Sequence, residues 1–473
     1  MNTPPIPQQY STSLRSRNWV FFLIVLGIRW ASASPIPAPF SLDLSGLGGS
    51  SSVSGTTLAG GLNYPYGMAL AANGSLLFGS SFPQTPNGIE GGPSLGSVWA
   101  LPAQGGSFGA PQQMVGGLNG AVTDVRTTPN GLTLVDSGAA SGRQMTFYNQ
   151  SFQQIGSVNF SYPTQNWDHS TGMSLEVQQP DGSVRVYFIV GSQADQAKTS
   201  FQVTTSGLFN ATLNEDSVYM VTLKSNGSSV QASGPPVQVA TGVRNGYGLS
   251  LDSAGNLIIG DNGQDGAHVV NEKGADTLNL IPAAKIGTQL YDFGFPNSYV
   301  DFATGQYING DPNATPPLVA FLPVADTHGV LQYSEGLSAM AFVPPGSFPF
   351  VGALGGEIVS FHGVKDASGA ANYDNALRYY DCASGVYKPI VDNGTAGMGH
   401  LDSVLVSGDS IFLADFASNG LVDQAGGNNT GAIYEFTITP EASAGSLAAV
   451  GLGAMLLAVS IRRARSNRRH EVY

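Results

Sequence analysis

The sequence predicts an all-β fold, a six-bladed β-propeller, from three observations. Glycine and proline are abundant while charge is scarce: 62 Gly and 28 Pro in 473 residues, with 42% hydrophobic and only 11% charged. That composition describes many short strands joined by tight turns around a large core, and one all-β domain of roughly 400 residues is within the known range. A single phrase recurs six times, and each recurrence carries its own hairpin signal.

In chain order, Arg15 and Arg17 precede the apolar run from Trp19 to Ile28, and Ala31-Ser32-Ala33 follows with small residues where a signal peptidase cuts. This is the layout of a secretory signal over residues 1–33. An uncleaved anchor is the alternative, for which the run is short. Residues 34–56 are rich in Pro, Gly and Ser and read as a linker.

The repeated phrase fills residues 57–438. It consists of a Gly-containing start, an alternating strand, a Gly or Asn turn, an apolar strand ending on a small or acidic residue, and a last strand. The six starts are Tyr64-Pro65-Tyr66-Gly67-Met68, Gly120-Ala121-Val122-Thr123-Asp124, His169-Ser170-Thr171-Gly172-Met173, Arg244-Asn245-Gly246-Tyr247-Gly248, Ser334-Glu335-Gly336-Leu337-Ser338 and Gly399-His400-Leu401-Asp402-Ser403. Turns such as Ala72-Asn73-Gly74, Pro129-Asn130-Gly131, Pro180-Asp181-Gly182 and Ala254-Gly255-Asn256 follow, where Asn and Gly supply the positive φ of a tight hairpin. Starts roughly 50 to 90 residues apart, each with strand-turn-strand content, read as propeller blades. A β-sandwich would repeat its turns about every 8–12 residues without the longer period.

Residues 443–461 form a stretch of 19 without a charge, and Arg462, Arg463, Arg465, Arg468 and Arg469 follow at once. A helix of that length just spans a bilayer, and the arginines hold residues 462–473 on the cytoplasmic side with the propeller outside. Between residues 34 and 440 there are 11 Lys and Arg against 30 Asp and Glu, a net charge near −19. A surface this acidic repels phosphate backbones and excludes nucleic acid as a natural partner. The one cysteine, Cys382, has no partner within the chain for a disulfide and reads as a small buried hydrophobe.

Ligands of propellers sit where the innermost strands begin, so the starts of the third and fourth repeats are the places to look. Arg244-Asn245-Gly246-Tyr247-Gly248-Leu249 with Asp261-Asn262-Gly263, Asp276-Thr277-Leu278-Asn279, Tyr291-Asp292-Phe293-Gly294-Phe295-Pro296 and His169-Ser170-Thr171-Gly172 resembles the glucose/sorbosone dehydrogenase family over about residues 166–436. Those are soluble quinoproteins with a six-bladed propeller, pyrroloquinoline quinone and calcium. The resemblance implies that His169 takes a hydroxyl proton, a task suited to an imidazole titrating near about pH 6.5. It implies that Arg244 contacts the quinone and steadies negative charge, and that Asn245 and Asn262 help hold the cofactor. Calcium would be held by the main-chain carbonyls of Gly263 and Gln264, where the family has Gly-Pro, with Asp261 and Asp265 nearby. The chain departs from the family at Ala353-Leu354-Gly355-Gly356, where a Lys or His usually precedes Gly-Ser.

At the C-terminus, Thr439-Pro440-Glu441-Ala442 with the Gly/Ala/Leu-rich helix and the Arg cluster resembles the bacterial PEP-CTERM sorting signal over residues 439–473, although Ala442 stands where Pro is usual. That likeness implies a sorting enzyme as a partner. The resulting expectation is an exported, envelope-tethered dehydrogenase of a sugar or related alcohol. The alternative is a non-catalytic propeller that binds a polysaccharide or protein in the extracellular matrix. A lactonase-type propeller with a central calcium would draw on Asp124, Glu335 and Asp402 instead. Plain structural roles stay open too: His169 as a hydrogen-bonding residue, Arg244 as a partner of Asp261, and Asp261 and Asp265 as turn acids.

Overall fold

The computed structural model describes residues 40, 42–48, 51–83, 94–139, 142–163, 169–170, 172–264, 273–325, 331–332, 336–363, 377–391, 399–418 and 429–440. Six sheets of antiparallel strands radiate from one axis, and their innermost strands open at the six starts read from the sequence. Blade 1 runs outward through Pro65–Leu70, Leu76–Pro83, Ser94–Leu101 and Gln112–Asn119. Blade 2 begins with Ala121–Thr127, Thr133–Ala139, Gly142–Tyr148 and Gln154–Ser161. Blade 3 comprises Ser174–Gln178, Val184–Val190, Ser217–Ser225 and Val237–Thr241, and blade 4 Gly246–Leu251, Leu257–Asp261, Thr277–Ile281 and Val319–Ala320. Blade 5 holds Leu337–Val343, Gly356–Phe361, Leu377–Asp381 and Val386–Pro389. Blade 6 holds Leu401–Ser407, Ser410–Asp415 and Gly431–Pro440, completed from outside by Ser51–Leu62.

The second strands are continuous apolar runs because a blade is covered on both faces. Along Leu257–Asp261, Leu257 and Ile259 pack toward blade 3 while Ile258 packs toward blade 5. In Ser410–Asp415, Ile411 and Leu413 face blade 5, and Phe412 and Ala414 face blade 1. Each pair of adjacent blades thus encloses its own apolar cluster, and strands buried on both sides lose the usual polar alternation. The turns expected at Gly74, Gly131, Gly182 and Gly255 share one geometry. Each glycine has φ between 79 and 83° and donates to a carbonyl three residues back, at 2.8–3.0 Å. An L side chain is disfavoured at that φ, which is why the signal is glycine.

Two long excursions bear on the site. The chain leaves blade 3 after Val190, adds the hairpin Gln202–Gly207 and Thr212–Asn214 to the outer edge of blade 2, and returns at Ser217. Between the last two strands of blade 4, Tyr291–Asp292 pairs parallel with the edge of blade 3, and Ser298–Val300 pairs with Tyr307–Asn309. Near the axis, Tyr66 of blade 1 donates its hydroxyl to Ser338 O of blade 5 at 2.6 Å, reaching past blade 6.

The linker expectation is corrected where it meets the described residues. Ser51–Leu62 pairs with Gly431–Pro440 from Ser51↔Pro440 to Leu62↔Gly431, so the last blade is closed by the first strand of the propeller. Further upstream, Phe40, Leu42 and Leu44 are buried under blades 5 and 6, and Leu42 bridges Val391. Small and hydroxyl side chains suit an edge strand with only two fully buried positions, which is why the composition looked like a linker. The expected signal peptide and membrane helix lie outside the described residues. Among the described residues no helix is long and apolar enough to cross a membrane.

Phe40 stands edge-on to Tyr434 at 5.1 Å and tilted to Phe436 at 5.5 Å. Phe40→Ala should therefore cost about 3–5 kcal/mol in chemical denaturation, the range for a buried Phe in a packed core. A loss under about 1 kcal/mol, as for a loose linker residue, would show that the strap is not part of the folded unit.

Candidate active site at the channel mouth

Every innermost strand begins, and every second strand ends, at the same end of the propeller, so residues at these junctions share one mouth. In blade 4, Asp261 closes the second strand, and its two oxygens accept the N–H groups of Asn245 at 2.8 Å and Arg244 at 3.1 Å. Arg244 O in turn accepts Ser192 N–H at 2.7 Å, which ties the start of blade 4 to blade 3. The Arg244 side chain is thereby placed between two loops. Its Nη2 forms an ion pair with Asp195 Oδ1, its Nε donates to Asp195 O at 3.0 Å, and its Nη1 donates to Gly263 O.

His169 joins the same cluster: its N–H donates to Ser192 O at 3.2 Å, and Nε2 lies 3.6 Å from Asp195 Oδ1. Close packing holds it there, because a Cβ on Gly191 would come within 2.6 Å of His169 O and 2.8 Å of its Cβ. His169, Arg244 and Asp261 are thus brought together, as the repeat register requires. The expected alternative partner for Arg244 was Asp261, yet the ion pair is with Asp195 and Asp261 serves the main chain. Asp195 was not singled out in the sequence because it sits in the excursion between blade 3 strands.

Burial dominates the acids below the mouth. It pushes Asp261 up to about 6 despite the two N–H donors and the nearby guanidinium. Burial, reinforced by Glu215, pushes Asp216 up to about 8, and among the described residues neither of its carboxyl oxygens has a hydrogen-bond partner. Asp276 is also raised by burial. Its oxygens accept Gly263 N–H at 2.7 Å and Leu337 N–H at 2.6 Å, which joins blade 4 to blade 5.

These contacts decide the calcium expectation. Gly263 O already accepts Arg244 Nη1, and Gln264 O accepts the N–H groups of Lys273 at 2.8 Å and Gly274 at 3.1 Å. With two N–H donors Gln264 O has both lone pairs engaged, and Gly263 O, which faces a guanidinium, has one left to offer an ion that needs six to eight oxygens. Among the described residues no group of three His, Cys, Asp or Glu is placed to hold a metal, and Asp265 lies outside them. Calcium at Gly263 and Gln264 does not fit, and the role expected for that loop is revised: it is locked by a guanidinium. A quinone fits better. Asn245 Oδ1 and Asn262 Oδ1 are buried beside Arg244 with no partner among the described residues, which leaves polar groups for a planar ligand to satisfy. Behind Arg244 a cavity of about 40 Å³, lined by Asn262, Gln264 and Tyr307 among others, has room for water.

A second cluster, missed in the sequence, occupies the same mouth at blades 5 and 6. His362 Nδ1 lies 2.8 and 3.0 Å from Asp402 Oδ1 and Oδ2. His400 stacks on His362 with ring centroids 4.3 Å apart, and its Nδ1 bonds His362 O. Asp402 also accepts Ser338 Oγ at 2.8 Å. Burial works to raise Asp402, but His362, its hydrogen bond and His400 hold the carboxyl below the usual range. The two histidines are 38 residues apart, a separation that carries no sign of their stacking.

No protein-family model matches the chain, and no curated protein does. Among solved structures, the PQQ domain of pyranose dehydrogenase from Coprinopsis cinerea, in its holo form, is similar over 86% of this chain and 99% of its own, with a TM-score of 0.51 and 14% identity. The likeness shows a shared fold. The PQQ-bound aldose sugar dehydrogenase from Streptomyces coelicolor gives a TM-score of 0.48 at 15% identity, covering 83% of this chain and 99% of its own. The apo soluble aldose sugar dehydrogenase from Escherichia coli gives 0.47 at 14%, covering 82% and 100%.

The raised acids set the pH response of stability. Asp261, Asp216 and Asp415, the last pushed up to about 8 by burial and the nearby Asp402, favour the folded state while protonated. That contribution is complete below the unfolded carboxyl value of about 3.9 and is lost as pH rises through the folded values. Asp402 acts in the opposite sense, only as pH falls below the ordinary carboxyl range. Calorimetry at constant ionic strength should therefore show the melting temperature falling from pH 5 to pH 9. A flat or rising profile would contradict the dominance of burial over hydrogen bonding at these carboxyls.

Proposed function

We propose that this propeller is a quinoprotein-like dehydrogenase that oxidises a sugar or related alcohol at the mouth between blades 3 and 4. The observation that carries the reading is the convergence of His169, Asp195 and Arg244 at the axial end of a fold shared with a PQQ domain. His169 would accept the hydroxyl proton of the substrate, and the Asp195 carboxylate 3.6 Å from Nε2 would stabilise the imidazolium formed. Arg244, fixed by Asp195 and Gly263 O, would present positive charge where the oxygen becomes negative. Arg244, Asn245 and Asn262 would hold pyrroloquinoline quinone, which when bound supplies the hydride acceptor. No calcium is assigned at Gly263 and Gln264.

A second reading is a non-catalytic propeller that binds a polysaccharide or protein in the extracellular matrix. It is favoured by one specific observation: the only guanidinium at this part of the mouth among the described residues is already paired, while a tricarboxylate cofactor calls for several cations. Reconstitution separates the two. The outer domain with pyrroloquinoline quinone and an aldose should reduce an artificial electron acceptor, and His169→Ala should lower turnover by about 100- to 10,000-fold. A chelator should leave that activity unchanged. Absence of quinone uptake at micromolar concentration, with no shift in melting temperature, would reject the dehydrogenase in favour of the binding propeller.

We further propose that the protein is exported and tethered by residues 443–461, with a sorting enzyme acting on the tail; the support is the uncharged run followed by five arginines. Protease added to intact spheroplasts should remove the propeller. Protection of the propeller would reverse the topology.

A further inference from the structure

The end of the propeller away from the mouth holds a feature that the proposed reaction does not use. The first and third strands of a blade run away from the mouth, so the turns that follow them lie at the opposite end. Three such turns meet between blades 2 and 3: Pro129-Asn130-Gly131 after the first strand of blade 2, Asn149-Gln150-Ser151 after its third, and Ser225-Asn226-Gly227 at the end of the third strand of blade 3. They border a cleft of about 410 Å³, against about 40 Å³ for the cavity behind Arg244. Its size falls within the roughly 300–1,000 Å³ of small-ligand sites.

Side-chain amides cross-link the walls. Asn149 Oδ1 accepts the N–H groups of Ser151 and Gln153, both at 3.0 Å, and its Nδ2 donates to Gly227 O at 3.2 Å, from blade 2 to blade 3. Gln150 Nε2 donates to Asn130 O at 3.1 Å, and the Gln150 side chain lies against Gly131, whose missing Cβ leaves it room. What remains uncommitted is neutral and mixed in sense. Among the described residues, Asn130 takes the Thr128 hydroxyl on Oδ1 and keeps both Nδ2 hydrogens, while Gln150 keeps Oε1 and Ser151 keeps its hydroxyl. All three residues are exposed, so a solute can reach them.

The apolar part of the lining comes from the buried Leu132 and the half-buried Ile155, and no lining residue is charged. A phosphate, carboxylate or ammonium group would give up water there without a counter-charge. A peptide strand would meet tight turns in place of a sheet edge with its row of N–H and C=O groups. A sugar fits both parts of the lining. Each of its hydroxyls donates and accepts, as the free amide groups and Ser151 together do, and the C–H face of its ring matches Leu132 and Ile155.

We propose that this cleft is a second binding site, for a neutral glycan, at the end of the propeller opposite the mouth. The inference does not depend on the chemistry proposed at the mouth and stands whether or not the mouth is catalytic. The bland alternative, a hydrated gap between turns, predicts no saturable binding.

Calorimetric titration of the full chain with cellohexaose, maltohexaose and the acidic hexamer of galacturonate provides the test, with hydrogen exchange read by mass spectrometry to locate the bound sugar. A neutral hexamer should bind saturably and slow exchange in residues 128–132, 149–155 and 225–229 of the wild type, a measurement that needs no variant to fold. Asn130→Ala combined with Gln150→Ala should weaken the binding about tenfold or more, the loss expected of two hydrogen bonds, and the acidic hexamer should bind the wild type at least about tenfold more weakly than the neutral one. No saturable binding of either neutral hexamer at millimolar concentration, slowed exchange confined to the mouth, unchanged affinity in the double variant, or equal affinity for the acidic hexamer overturns the proposal. Failure of the dehydrogenase reading looks different: no turnover with quinone and an aldose, with slowed exchange at these three turns as expected.

Discussion

A carboxyl group buried at a strand end, aimed at main-chain N–H groups where an innermost strand begins, is the interaction on which the mouth depends. The first residues of an innermost strand have their second strand on one side and the channel on the other. Their N–H groups would be left without partners in a place too enclosed for water, at a cost of about 1–3 kcal/mol each. Asp261 takes those of Arg244 and Asn245, Asp276 takes that of Leu337, and Asp415 takes that of His400. Between blades 2 and 3, Asp124 takes Ser174 N–H at 3.0 Å. Arg244 and His400 are among the residues whose main chain is latched in this way. Their side chains are aimed by a contact that does not use the side chain.

The same device makes the mouth acidic at its base and leaves few cations to spare. Arg126 is paired with Asp124, Arg143 with Asp136 and Arg244 with Asp195. Arg143 also donates to Ile189 O, so its charge binds blade 2 to blade 3 and does not face a ligand. The net charge near −19 between residues 34 and 440 opposes the approach of a negatively charged substrate and does not act on a neutral polyhydroxyl compound.

Much of this was legible in the residues. Blade number and register followed from glycines that need positive φ and from apolar runs such as Leu257–Asp261, because both are demanded locally. His169, Arg244 and Asp261 followed from their equivalent places in the repeats. Contacts made by loops that leave their own blade were not legible: Asp195 reaches the site from an excursion that pairs with blade 2, and His362 meets Asp402 across 40 residues. Whether a carbonyl is available to a metal was equally hidden. The sequence names Gly263 and Gln264, but their oxygens are claimed by a side chain 19 residues upstream and by N–H groups of Lys273 and Gly274.

The strand that closes blade 6 has a bearing on how the chain is made. Among the described strands Ser51–Leu62 leaves the ribosome first, yet its partner Gly431–Pro440 is synthesised last of them, with five complete blades between the two. Until then it is an orphan edge, the kind of segment that recruits other nascent chains. Its residues, Ser-Ser-Val-Ser-Gly-Thr-Thr-Leu-Ala-Gly-Gly-Leu, offer little apolar surface to a stray neighbour. The blandness that made it look like a linker is what lets it wait: a strand rich in Val, Ile and Phe would close the ring more tightly but would be far more prone to aggregate before its partner exists.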